Sequence, residues 1–303
     1  MGRLRTRLEF LLVWALVKLL GSPPRGLARA VGAGVGRIAL VAVPRLRRTG
    51  HRNLELAFPQ KTAAERQLIL SRLYRNLGWL LAEFCQMPHY TPESTKSFIR
   101  YEGLEHYLAA RERGKGVLIL TGHLGAWELS SFYHSLMGYP MSIVIRRLDN
   151  PLVDRLVNHI RCLHGNQVLH KDDFARGLLA SMRRGETVGI LMDTNMTPPQ
   201  GAFVDFFGHQ ACTGSGLARV AMKTGATVMP GFLLWEEATR QYVLRFGAPL
   251  TLARSGDLEA DAIANTALFT KVIEEYIRQY PDQWLWVHRR WKTRPPGEAP
   301  IYT

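Results

Sequence analysis

The sequence predicts an α/β fold, a mixed but mostly parallel sheet covered by helices, preceded by an N-terminal helical membrane-anchoring hairpin. Three observations carry this reading. Short apolar runs bounded by turn residues recur at Val117 to Leu120, Thr187 to Met192 and Thr227 to Leu234, the form taken by strands buried on both faces. Helical stretches alternate with them, as in sheets covered on both sides. Finally, residues 1–52 gather eleven Lys or Arg against one acid, Glu9, around the apolar run LEFLLVWALVKLL. With 303 residues, 47% hydrophobic and 21% charged, the chain can bury a full core. The expected division is a basic apolar anchoring segment, 1–52, and a catalytic domain, 53–303.

In chain order, Leu8 to Leu20 forms an apolar helix behind Arg3, Arg5 and Arg7. At ~20 Å it is shorter than the ~30 Å hydrocarbon core of a bilayer. A cleaved signal peptide is the competing reading, but Lys18 interrupts the run and no convincing small-residue cleavage site precedes Ser22-Pro23-Pro24, so a retained anchor is expected. Leu27 to Val43 makes a second apolar helix, ended by Pro44; the alternative is that both helices pack on the domain core. Thr62 with Glu65 has the capping-box spacing and opens a long amphipathic helix to Gln86. Strands follow at Phe98 to Tyr101, Val117 to Leu120 and Met141 to Ile145, with a helix at Leu104 to Arg113. Asn150-Pro151 starts a helix running to about Leu163. The remaining elements are strands at Thr187 to Met192, Phe203 to Phe206, Thr227 to Leu234 and Tyr242 to Phe246, and helices at Cys212 to Lys223 and Asp261 to Tyr280.

The stretch Val117 to Glu128, VLILTGHLGAWE, runs a buried strand into a glycine-flanked histidine and then a carboxylate. His123 falls beyond the strand's carboxyl end, where open α/β sheets place their ligand crevices. With Glu128 in the first turn of the next helix, the two side chains can meet, Glu128 fixing the imidazole tautomer so that the other nitrogen serves as general base. If the middle of the sheet is parallel, Arg146 and Asp193 follow strands onto the same edge. An arginine there can bind phosphate or steady an oxyanion, and Asp193 can orient that arginine or bond an acceptor sugar. Arg161, in the last turn of its helix, has an ordinary explanation in the helix dipole.

The formal net charge is +14, and most of the excess lies in the first 52 residues. A basic arm interleaved with Leu, Val and Trp fits an anionic membrane surface; no nucleic-acid motif accompanies it, and no nucleic-acid partner is expected. Cys85, Cys162 and Cys212 are odd in number and lack CxxC spacing, indicating neither a disulfide framework nor a zinc site. No metal is expected, because His123 and Glu128 lack a third ligand at plausible spacing.

The ordered set GHLGAWE, RRLDNPLVDRLVNHIR, GILMDTN, FVDFFGHQACTGSGLARVAMKTGA and WLWVHRRWKTRPPG resembles the bacterial lipid A biosynthesis acyltransferases, the lauroyl and myristoyl transferases of the lysophospholipid acyltransferase superfamily. The resemblance covers nearly the whole chain. It implies an enzyme on the inner membrane, facing the cytoplasm, that moves a fatty acyl chain from acyl carrier protein or coenzyme A to a hydroxyl of a glycolipid, the thioester being a co-substrate and no further cofactor being needed. It places His123 as the base, Glu128 as its carboxylate partner, and Arg161 and Asp193 as further functional residues; Arg146 matches an arginine ahead of Asp-Asn-Pro. Thr194-Asn195-Met196 after Asp193 departs from the Gln or His often found there in the lipid A enzymes, which bears on the acceptor. Arg289, Arg290, Lys292 and Arg294 fall in the closing motif as phosphate or headgroup contacts, or as a solvated basic tail. The alternatives are a phosphatidylinositol mannoside-type or other glycolipid or phospholipid acyltransferase, a membrane-bound thioesterase or esterase using the same dyad on water, and a basic surface-binding protein without catalysis.

Overall fold

Apolar runs with few charges form the centre of the molecule. The computed structural model describes residues 2–170 and 174–302. Its main sheet has seven strands: β1 (Ile99–Glu102), β2 (Val117–Thr121), β3 (Ser142–Ile145), β4 (Gln167–His170), β5 (Thr187–Leu191), β8 (Thr227–Glu236) and β9 (Gln241–Phe246). They lie in the order β1-β9-β8-β2-β5-β3-β4. Every neighbouring pair is parallel except β8 with β9, so the expected mixed, mostly parallel sheet is present. In register, Leu118 faces Val188 and Val228.

Alternation along the strands divides the core in two, as a period of two requires. Leu118, Leu120, Val188 and Ile190 point to a layer containing α9 (Phe174–Arg183), α10 (Gly216–Thr224) and α11 (Leu258–Gln279). Val117, Ile119, Met229 and Leu233 point to the opposite layer, with α6 (Leu104–Glu112), α7 (Trp127–Leu136) and α8 (Pro151–Arg161).

Within residues 98–280, two stretches differ from the sequence expectation. The helix expected from Cys212 begins only at Gly216, because β6 (Gly201–Phe206) and β7 (His209–Gly214) form an antiparallel hairpin. Its two-residue loop, Phe207-Gly208, has φ of 56° and 78°, the backbone of a primed turn whose twist matches the strands. The other difference is in residues 167–183, which contain β4 and α9 and which the sequence pattern left unassigned.

The amino-terminal segment comprises α1 (Arg3–Gly21), α2 (Arg25–Ala42) and α3 (Pro44–Ala57), laid against α4 (Ala63–Gln86). The Thr62–Glu65 capping box caps α4 as expected. Glycines bring α2 onto α4: a Cβ on Gly36 would lie 2.0 Å from the Tyr74 carbonyl oxygen, and one on Gly32 2.2 Å from that of Gly78. Buried charge fastens the same contact. Arg25 donates to Glu83, while the Arg29 guanidinium lies 3.9 and 4.2 Å from the rings of Trp79 and Trp235, where cation–π attraction helps compensate its desolvation. The boundary expected at residue 52 falls inside α3, whose Asn53 donates to the Trp286 and His288 carbonyls at 2.6 and 2.7 Å.

One side of the arm thus packs on the protein, and the other carries exposed Leu4, Leu8, Leu12, Val35, Ile38 and Val41. Among the described residues no single helix is long and apolar enough to cross a membrane; α2 and α3 together reach that length and composition but are bent by 89°.

The glycine contact yields a test. Gly36→Ala must separate α2 from α4 and is expected to cost about 1–3 kcal/mol. Gly34→Ala, with no atom within 4 Å of its new methyl, should gain roughly 0.5–1 kcal/mol from helix propensity. Thermal unfolding of both variants in detergent checks the opposite signs.

Candidate active site

Parallel neighbours β2 and β5 end side by side, and their outgoing loops supply the central pair. After β2, Gly122 leads into His123. A Cβ on Gly122 would stand 3.0 Å from the Asp193 carboxylate, so the missing side chain lets the two loops approach. The His123 loop is then pinned from three directions. Ala126 N–H donates to the Leu233 carbonyl at 2.8 Å, Gly125 N–H to that of Gln283 at 3.0 Å, and Leu285 N–H to that of His123 at 3.0 Å. Gly125 has φ of 68°, and a Cβ there would lie 2.1 Å from the Leu233 oxygen; only glycine fits this turn.

The histidine's carboxylate partner is Asp193, not Glu128. His123 Nδ1 lies 2.9 Å from Asp193 Oδ1, and the His123 backbone N–H donates to Oδ2 at 2.6 Å. Trp284 Nε1 donates to Oδ2 as well, at 2.8 Å. An ionised carboxylate only accepts, so Nδ1 carries a proton, and in the neutral imidazole Nε2 is the nitrogen with the lone pair. Asp193 is 3% exposed. Burial alone would raise its pKa, but the adjacent imidazole and three donors outweigh this and hold it below the usual carboxylate range. Burial likewise pushes His123 down, while the Asp193 charge and hydrogen bond, with a smaller contribution from Glu128, push it up further, so the net direction is upward. The His123 side chain remains 25% exposed, which leaves the imidazole reachable.

Glu128 sits in the first turn of α7, as expected, but its carboxylate is taken by Arg161 at the end of α8. Arg161 Nε donates to Oε2 at 2.8 Å and Nη2 to Oε1 at 2.5 Å. This two-pronged pair matches guanidinium to carboxylate. Burial lowers the Arg161 pKa, and the Glu128 hydrogen bonds and charge more than restore it, so the group stays cationic. Arg161 is therefore more than a helix-end residue. Arg146 follows β3 on the same sheet edge but is 77% exposed, with Asp149 beside it at 3.4 Å. It does not join the central cluster, and Asp193 orients His123 rather than an arginine.

Beside the pair lies an apolar cavity that opens to solvent. Thr121, Trp127, Glu128 and Arg161 contribute to its lining near the strand ends, Leu244 and Phe246 of the antiparallel β9 wall it at that same level, and Ile119 and Ile143 lie one pleat further back. The Trp127 ring, 5.3 Å from that of His123, connects the histidine to this space. Gly189 and Gly231 also line it; added methyls would meet Met141 and Ile119, each at 2.6 Å.

The closing basic motif is largely structural. Trp284, Trp286, Trp291 and Arg290 are buried. Arg290 donates to the carbonyls of Thr194 and Cys212 and to the Thr213 hydroxyl, with burial lowering its pKa to about 10. Arg294 donates to the Gln210 carbonyl and pairs with Glu298. Arg290 and Arg294 are thus neither solvated tail nor ready phosphate ligands. His288 accepts from Asn195 N–H at 3.0 Å, its pKa lowered to about 4 by burial. The indole of Trp284 and the cavity's inner wall escaped the sequence reading; the former sits in a motif matched only as a block, and the latter has no local signature.

A base with a free imidazole nitrogen, a fixed guanidinium and an adjoining apolar cavity suit transfer of a long-chain acyl group to a hydroxyl. Residues 3–293 match the family described as bacterial lipid A biosynthesis acyltransferase. Among curated proteins, the chain is 29% identical over 291 residues to a lipid A biosynthesis lauroyltransferase of Escherichia coli (strain K12), covering 96% of this chain and 92% of that one. It is 27% identical to a lipid A biosynthesis palmitoleoyltransferase of the same strain, covering 90% and 87%. A lipid A biosynthesis myristoyltransferase, also from that strain, is 26% identical, with 89% and 82% covered. The chain therefore belongs to the bacterial lipid A biosynthesis acyltransferase family and is an acyltransferase.

Proposed function

We propose that this enzyme moves a fatty acyl chain from an acyl thioester, carried on acyl carrier protein or coenzyme A, to a hydroxyl of a glycolipid such as a lipid A precursor, at the cytoplasmic face of the inner membrane. The observation that carries the reading is the Asp193–His123 pair beside an apolar cavity whose mouth holds Arg161. His123 Nε2 takes the acceptor's hydroxyl proton as the oxygen attacks the thioester carbonyl. The oxyanion collapses, the carbon–sulfur bond breaks, and the departing thiolate receives the proton from Nε2. Among the described residues His123 bonds to no serine or cysteine, which favours direct attack over an acyl-enzyme. No further cofactor is invoked, since the thioester supplies the activated acyl group.

In this reading Glu128 holds Arg161 in place, and Arg161 stabilises negative charge on the attacked carbonyl or binds an acceptor phosphate. Arg146, exposed on the same edge, meets anionic headgroups or acceptor phosphates from outside the cavity. The exposed apolar sides of α1 and α2, among eleven basic residues and one acid in positions 1–52, would lie in the interface of an anionic leaflet. The activities of these relatives, all in lipid A biosynthesis, support the glycolipid acceptor.

The decisive experiment measures acyl transfer from a lauroyl thioester to a lipid A precursor by mass spectrometry, with free fatty acid followed in parallel. His123→Ala should lose about 10²–10⁴-fold in rate, the span of general-base catalysis. Hydrolysis without transfer by the wild type would replace the transferase mechanism with a thioesterase one.

The pH profile separates the two carboxylates. Protonation of His123 removes the base, so kcat/KM should fall as pH drops through its raised pKa, with a midpoint above the ordinary ~6.5. Asp193→Asn leaves burial dominant and should move that midpoint down, with a large loss of rate. Glu128→Gln should move it much less; the reverse ranking would return Glu128 to the role of partner.

Membrane contact has its own check. Leu12→Glu with Ile38→Glu should sharply reduce cosedimentation with anionic vesicles while leaving the unfolding temperature nearly unchanged, because both side chains are exposed.

A further inference from the structure

The cavity beside His123 is not uniformly apolar. Thr121, Ile145 and Leu191 line it at the strand ends, and Ile119, Ile143 and Gly189 stand one pleat deeper. Along α7, Glu128 lies at the mouth and His134 six residues on, about 9 Å further along the helix axis. His134 is 1% exposed. Its Nδ1 lies 2.9 Å from the Tyr101 hydroxyl, and its ring is boxed by Tyr107, Tyr139 and Phe246, with centroids 4.5, 5.1 and 5.2 Å away. Yet Nε2, also buried, has no hydrogen-bond partner among the described residues. Ser130, one turn earlier on the same face of α7, lines the same cavity.

An orphaned buried polar nitrogen is costly. Burial, with a smaller effect of Arg111, lowers the His134 pKa to about 3, so the imidazole is neutral and Nε2 is either donor or acceptor, depending on which way the Tyr101 bond runs. A hydroxyl serves both cases, since it donates and accepts; a methylene serves neither.

We propose that the inner part of this cavity is a hydroxyl-reading subsite, in which His134 Nε2, with Ser130 beside it, selects an acyl chain bearing a hydroxyl along its length over a plain saturated chain. The proposal rests on the reading that the cavity holds the donor's acyl chain. It makes His134 a specificity-determining residue that acts through one hydrogen bond and takes no part in the proton transfer at His123.

The test uses the full chain in detergent with a lauroyl thioester and a set of lauroyl analogues that carry one hydroxyl walked along the distal half of the chain. Each competes with the saturated donor for one acceptor, and the ratio of kcat/KM values is read from the products. One hydroxyl position should be preferred about tenfold, the worth of one hydrogen bond to a group otherwise unpaired. His134→Leu should abolish or invert that ratio and Ser130→Ala should reduce it. A general loss of packing would lower both donors together and leave the ratio unmoved. If no position is preferred by the wild type, the subsite is overturned without recourse to any variant, as it is if the ratio survives in His134→Leu; transfer itself then still stands. Absence of transfer from every thioester would instead strike the underlying reading, and the subsite with it.

Discussion

The Asp193 carboxylate is the constraint on which the site depends. A buried charge is tolerated only when its lone pairs are met by donors, and here the donors come from two separate parts of the chain. His123 supplies a ring nitrogen and a backbone N–H, and Trp284 supplies its indole N–H. The end of β2, the end of β5 and the carboxyl-terminal segment are thereby drawn to one point. Withdrawal of any donor would leave charge unpaired in a place water scarcely reaches, so the loops have little freedom to drift. The interaction that holds the fold together at this edge also sets the imidazole tautomer.

A second layer of buried polar groups keeps that point rigid. Arg290 lies behind Asp193 and clamps the carbonyls of Thr194 and Cys212, tying the loop after β5 to β7. Beside it, His288 accepts from Asn195 N–H, which only a ring nitrogen without a proton can do; burial, by holding His288 neutral, keeps that acceptor available. Asn195 bonds Thr293 through both its side-chain amide groups. Arg290 and Arg294, which read in sequence as part of a cationic tail, are thus spent internally, and the cation that lines the cavity is Arg161, itself fixed by Glu128.

What the sequence revealed and what it concealed follow the range of the interactions involved. The capping box at Thr62 is complete within four residues, and the strand Val117 to Leu120 declares itself by local apolarity, so both were legible. The placement of His123, Arg146 and Asp193 on one sheet edge was legible too, because it needs only parallel strands. Which side chains pair across that edge was not. His123 and Glu128 are five residues apart and invite pairing, but the turn at Gly125 and the reach of Arg161 from α8 direct Glu128 elsewhere, while β2–β5 adjacency brings Asp193 from seventy residues away. The β6–β7 hairpin was hidden by its turn: Phe207-Gly208 adopts positive φ at both positions, where Asn-Gly would have announced it. His134 gave no sign at all, since its aromatic box is assembled from α6, β9 and the loop before β3.

Helix α8 links the basic arm to the cavity mouth. At its amino end Asn150 caps the helix through Leu152 and Val153 N–H groups, and its amide donates to the Thr6 carbonyl at 2.9 Å and to Glu9 at 3.0 Å, both on α1. At the other end Arg161 holds Glu128. The α1 contacts at Asn150 and the Arg161–Glu128 pair thus stand at opposite ends of one eleven-residue helix. In an enzyme working at a lipid surface, as proposed, α1 is the element that feels the bilayer. On that reading the arm and the mouth are positioned together, since the helix that bonds α1 also carries the arginine that lines the cavity. The short hydrophobic helix is consequently part of the site's architecture: its polar contacts, Asn150 with Thr6 and Glu9, face the protein, while Leu4, Leu8 and Leu12 face out.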